Sequence, residues 1–130
     1  KVIGIEALTM INMVNKQILP AVSAYTGELS RTVKDKLAVC PDANADYEKS
    51  AIVKLSALCG KMFASVGKLE KLYAEAEKES DALAAALRAR DLLLPVMDTL
   101  RAAADEAEEI VPREEWPFPT YGDLLFGVSK

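Results

Sequence analysis

The chain has 130 residues and a mass of 14.1 kDa, which suits one domain with one hydrophobic core. Its composition, 51% hydrophobic and 28% charged, is globular rather than disordered. A net charge of −4 lacks the basic excess of a nucleic-acid binder, and the absence of histidine removes imidazole bases, phosphoacceptors, metal ligands and the Glu-x-x-His di-iron signature together.

Residues 1–8 (KVIGIEAL) begin on lysine and run straight into an apolar-periodic segment, without the pattern of a secretory leader. Such a start is expected of a piece excised from a longer polypeptide. No run of 18 uncharged apolar residues occurs, so no membrane span is expected.

The first helix is predicted over about 5–39. Ile11, Val14, Ile18, Val22, Tyr25, Leu29, Val33 and Leu37 recur at steps of three and four, the mark of one helical stripe. Pro20 lies inside that stripe, removes an amide donor and predicts a kink. Cys40-Pro41 ends the helix, because the residue before proline disfavours the α region.

Residues 41–45 (PDANA) form a predicted loop, with Asn44 or Asp46 as the cap of a second helix over about 46–79. Its stripe is Tyr47, Ala51, Leu55, Leu58, Met62, Val66, Leu69, Tyr73 and Ala76. A second pattern, Ala57, Gly60, Ala64 and Gly67, is displaced from this stripe by one residue, about 100°. Small residues let another helix approach closely. They predict packing inside the chain or a docking face for a partner. Cys40 and Cys59 cannot make a structural zinc site with no histidine, and are expected to be reduced thiols.

No glycine or proline marks the next break, but an unbroken helix from 47 to 111 would be a rod of about 98 Å. A turn near 79–81, with Ser80 as cap, lets the stripe fold back. The third helix is predicted over about 81–111, with a stripe of Leu83, Leu87, Leu94, Met97, Leu100, Ala104, Ala107 and Val111. Arg90 interrupts it and Pro95 bends it. From 91 to 115 eight acids face two bases. Asp105 and Glu109 share a helix face, without the loop and glycine turn of a calcium site.

Composition changes at Pro112. The run 116–126 (WPFPTYGDLLF) holds Trp116, Phe118, Tyr121 and Phe126, half of the eight aromatic residues. Its prolines favour an extended strap, which loses little backbone entropy on docking and carries large rings to bury. The domain thus reads as all-α: three long antiparallel helices with Pro kinks over 1–111. A tail over 112–130 packs on the bundle or on a neighbour.

The segment 6–27 (EALTMINMVNKQILPAVSAYTG), above all Gln17-Ile18-Leu19-Pro20-Ala21, resembles the start of the carboxy-terminal helical region of type III glutamine synthetases. Leu93-Leu94-Pro95-Val96-Met97, Leu100-Arg101 and the run 116–126 resemble that family's closing segment. The resemblance implies a cytoplasmic, ring-forming parent that joins ammonia to glutamate through γ-glutamyl phosphate, with ATP and Mg or Mn. The family's catalytic motifs lie upstream, in a β-grasp domain and a catalytic barrel, and none is visible in these residues. The resemblance therefore assigns this chain no catalytic, nucleotide or metal residue. It implies a non-catalytic structural and interaction region whose partners are the rest of the parent chain and neighbouring subunits, with no nucleic acid and no membrane. Candidate interaction residues are Ala57, Gly60, Ala64, Gly67, Trp116, Phe118, Tyr121 and Phe126.

Two other readings stand beside it. One is a free-standing helical adaptor that binds a partner helix through the small-residue face. The other is a small all-helical enzyme of chorismate-mutase type, whose dicarboxylate chemistry would need Arg31, Lys34, Arg88, Arg90 and Arg101 to converge.

Overall fold

A computed structural model describes residues 2–118, all of it helix and connecting loop, with no strand among the described residues. Tyr121 and Phe126 lie outside the described residues.

The first helix, α1, covers residues 2–39. It consists of Val2–Met13, a wider π-type turn at Val14–Ile18, and Leu19–Val39. The wide turn has a cause in the sequence. Pro20 has no N–H, and its ring crowds the carbonyl four residues back. Widening relieves the crowding: the Leu19 N–H donates to the Val14 carbonyl, five residues back. The third helix, α3 (residues 82–110), repeats the device, with Ala82–Arg88, a π-type turn at Ala89–Leu93, and Leu94–Ile110 carrying Pro95. Between them α2, Asp46–Glu77, is α-helical throughout.

Contacts run in opposite order along α1 and α2. Gly4 approaches the Tyr73 ring, Asn15 Nδ2 donates to Glu70 Oε2 at 3.1 Å, and Lys36 meets Glu48. The loop between them is short because it is clamped. Asn44 Oδ1 accepts from the Asp46 N–H at 2.8 Å, and Lys36 Nζ donates to both the Asn44 carbonyl and the Glu48 carboxylate. Glu48 is buried, and its bond to Lys36 holds its carboxyl below the usual carboxylate range. Its other oxygen, Oε1, has no partner. At the second loop the cap is Asp81, whose Oδ1 accepts from the Leu83 N–H at 3.3 Å, rather than the expected Ser80. Glu79 accepts the Asp81 N–H, which fixes the turn one residue later.

The core joins all three helices. From α1 come Ala7, Ile11, Val14, Ile18, Val22, Tyr25 and Leu29; from α2 Ala51, Leu55, Leu58, Met62, Val66 and Leu69. From α3 come Leu93, Val96, Met97, Leu100, Ala103 and Ala107, closed by Val111 and Trp116. Three expected core positions are instead exposed: Tyr47, Leu83 and Leu87. Tyr47 stands outside the stripe at the first turn of α2. The two leucines precede the π-type turn, whose wider hydrogen-bond spacing inserts an extra residue into one revolution and so rotates the apolar face. Leu93, the last residue of the turn, is buried, as are Val96 and Ala103 after it, while Leu94 and Ala104 are only partly so. Before the turn no residue of α3 is buried. Ala82, Ala85, Ala86 and Ala89 line a cavity of about 440 Å³ with Ile3, Gly4 and Tyr73.

Beyond α3 an extended strap is expected from Pro112 onward. The structure instead inserts one turn of 3-10 helix at Arg113–Glu115, with extended backbone at Pro112 and Trp116 on either side. Trp116 is 7% exposed within the chain's own core, and Phe118 packs partly buried against it.

Candidate functional site

Two surfaces stand out, and they face away from each other. The first is the outer face of α2. Ala57, Gly60, Ala64 and Gly67 are all exposed, and a Cβ placed on Gly60 or Gly67 would meet no atom within 4 Å. The sequence predicts these residues beside the main stripe, either packed inside the chain or forming a docking face for a partner; the structure leaves them facing outward. At 100° per residue they centre opposite the buried stripe of Leu55, Met62, Val66 and Leu69. Two large apolar side chains accompany them, Val53 at 68% and Phe63 at 69% exposure.

A helix apolar on both faces wants cover on both. By length and composition alone α2 is long and apolar enough to cross a membrane, yet only 22% of its most apolar stretch is buried in the chain. Every 18-residue stretch of α2 includes Lys54 or Lys61, which separates it from the uncharged run sought in the sequence.

The second surface is a groove of about 480 Å³ between the N-terminal half of α1 and α3, closed at one end by Trp116 and Phe118. Its floor is apolar, with Met10, Met13, Val14, Ile18 and Leu100. Its rim is acidic, with Glu6, Asp105 and Glu108 against one base, Arg101. Burial raises the Glu108 carboxyl pKa, and repulsion from Asp105 and Glu109 raises it further. Single-sequence reasoning noted Asp105 only as a partner of Glu109. It had no signal for the groove, which needs residues about 95 positions apart.

A third cluster gathers Tyr25 and Glu28 of α1, Tyr47 of α2 and Glu115 beyond α3. Burial and a hydrogen bond with Tyr47 push the Tyr25 hydroxyl up to about 12. Beside it Glu115 pairs with Glu28; desolvation, that hydrogen bond, and repulsion from Glu28 and Glu114 raise its carboxyl pKa. A carboxyl whose pKa is raised by folding takes up a proton on folding. Its stabilising contribution is present at low pH and is lost as pH rises through the folded-state value. Glu108 acts in the same direction. Replacing Glu115 by glutamine is therefore expected to raise the melting temperature at neutral pH and to flatten its dependence as the pH falls from neutral toward the ordinary carboxylate range. Thermal melts across that range check this; an unchanged slope contradicts it.

The cations required for a dicarboxylate-binding enzyme do not converge. Arg31, Lys34 and Arg88 are exposed, Arg90 lies 3.4 Å from Asp91, and Arg101 lies 3.6 Å from Asp98. The groove that Arg101 lines contains none of the other four. Cys40 and Cys59 are free thiols, and burial raises the pKa of Cys59. Among the described residues no group of three or more His, Cys, Asp or Glu could hold a metal ion.

Residues 1–37 match the family model described as the glutamine synthetase C-terminal domain. Over 128 residues, 98% of its length, the chain is 32% identical to glutamine synthetase from Butyrivibrio fibrisolvens. It spans 18% of that relative's length. No solved structure matches.

Proposed function

We propose that this chain, a C-terminal region of the glutamine synthetase family, is the non-catalytic structural and interaction region of a type III enzyme. The parent in this reading is a cytoplasmic ATP-dependent glutamate–ammonia ligase that assembles into a large oligomer. Its three helices form an antiparallel bundle bent at Pro20 and Pro95, and the aromatic tail completes the bundle. The observation that carries the reading is the similarity to a glutamine synthetase along 98% of this chain. The family-model match over residues 1–37 agrees with it.

For the parent's divalent metal, the chain has no histidine and no ligand cluster gathers among the described residues. No chemical step is therefore assigned to it. What the residues do offer is surface: α2 with Ala57, Gly60, Ala64 and Gly67 open, and the groove between α1 and α3. The partners in this reading are the rest of the parent chain and neighbouring subunits.

The test is the parent enzyme with and without this region, with ligase activity and oligomer size measured on the same samples. Deleting residues 116–126 is expected to alter assembly before it alters intrinsic turnover. Normal assembly with lost turnover would contradict the reading, as would ATP-dependent γ-glutamyl transfer by the 130-residue chain alone.

A further inference from the structure

We propose that the outer face of α2 docks into the groove between α1 and α3 of a second copy of this chain. The inference rests on the reading of α2's outer face as a docking surface and names its occupant.

The argument begins with charge. Lys54, Lys61 and Lys68 recur at intervals of seven along one edge of the open face, all exposed, and none forms an ion pair with the described residues. The groove carries the opposite charge, with Glu6, Asp105 and Glu108 on its rim. The carboxylate repulsion that burdens Glu108 is relieved when an ammonium group reaches that rim. Each surface supplies what the other lacks.

Shape follows the same line. Gly60 and Gly67 leave open space where side chains would stand, so a second helix pair can come close to the α2 backbone. Phe63, 69% exposed, stands on the flank of that face away from the lysines, and the groove of about 480 Å³ offers apolar lining to that flank. Met10 and Met13 in that lining are unbranched and adapt to what enters.

Direction comes from the fold. The groove is lined by α1, α3 and the segment after α3, with no residue of α2, while the open face of α2 points away from the shared core. The two surfaces thus sit on opposite sides of one molecule. Joining one to the other uses different patches on each copy, a head-to-tail contact that closes into a ring or continues as a stack.

The experiment is sedimentation of the 130-residue chain from micromolar to millimolar concentration, at low and high salt. Concentration-dependent association that weakens in high salt is expected. Phe63→Glu, Lys61→Glu/Lys68→Glu and Glu6→Lys/Asp105→Lys, all at exposed positions, should each weaken association by roughly tenfold or more while circular dichroism stays helical. Mixing the two charge-reversed chains should restore it, since each then presents the complement of the other. A chain that stays monomeric at millimolar concentration overturns the proposal, and leaves the assembly role in the parent standing. Association indifferent to the groove substitutions overturns it in favour of α2 pairing with α2. A monomer that binds phosphatidylcholine–phosphatidylglycerol vesicles through α2 overturns it in favour of a lipid surface.

Discussion

Replacing Leu55 by alanine is expected to cost about 2–5 kcal/mol of unfolding free energy. Leu55 is 0% exposed and stands in the middle of the core stripe of α2. Its truncation removes buried methyl groups and leaves a cavity that three crossing helices cannot close without moving together. A domain of this size is held by about 5–15 kcal/mol in all, so the loss is a large fraction of its stability. Val53 provides the control. It is two residues away and apolar, but 68% exposed on the opposite face. Val53→Ala should stay within about 0.5 kcal/mol of the parent sequence. Urea titrations of both variants measure the contrast. Equal costs would mean that the outer face of α2 is packed in the isolated chain.

Replacing Trp116 by alanine is the second large effect, about 3–5 kcal/mol. The residue lies beyond the last helix, where a tail would ordinarily fray at little cost. Here its ring is 7% exposed and belongs to the same core cluster as Leu100 and Ala107. It also closes one end of the groove. The segment after α3 is therefore part of what keeps α1 and α3 together. Trp116 is the single tryptophan, so its emission reports directly on this contact. The folded chain should emit to the blue of the unfolded chain. Phe118→Ala, at a partly buried position, should cost less than Trp116→Ala.

Much of the core was legible because each helical turn deposits one apolar residue on the same side. The stripe from Ile11 to Leu29 and the stripe from Ala51 to Leu69 are buried as their spacing predicts. The stripe of α3 was legible only after Pro95. Before it, extrapolating a 3.6-residue period through residues 82–93 placed Leu83 and Leu87 inside. The π-type turn at Ala89–Leu93 breaks that period, and no single residue announces it. The proline that provokes the turn lies after it, so the rotation acts backwards along the sequence.

The candidate surfaces were legible to different degrees. Ala57, Gly60, Ala64 and Gly67 were visible as a pattern, but composition does not say which way a small face points. Its angle from the centre of the stripe does, and that angle places it outside. The groove was not legible, because Glu6 and Asp105 meet only through the packing of α1 on α3. The Glu28–Glu115 pair was hidden for the same reason.

The outer face of α2 is open in this chain and, in the proposed function, is covered in the parent. Thiol labelling at Ala64 tests it most directly. With Cys40 and Cys59 replaced by serine and alanine, Ala64→Cys is introduced both into the 130-residue chain at high dilution and into the full-length parent. Fast labelling in the dilute chain and strong protection in the assembled parent are the predicted result. Equal, fast labelling in both would contradict it.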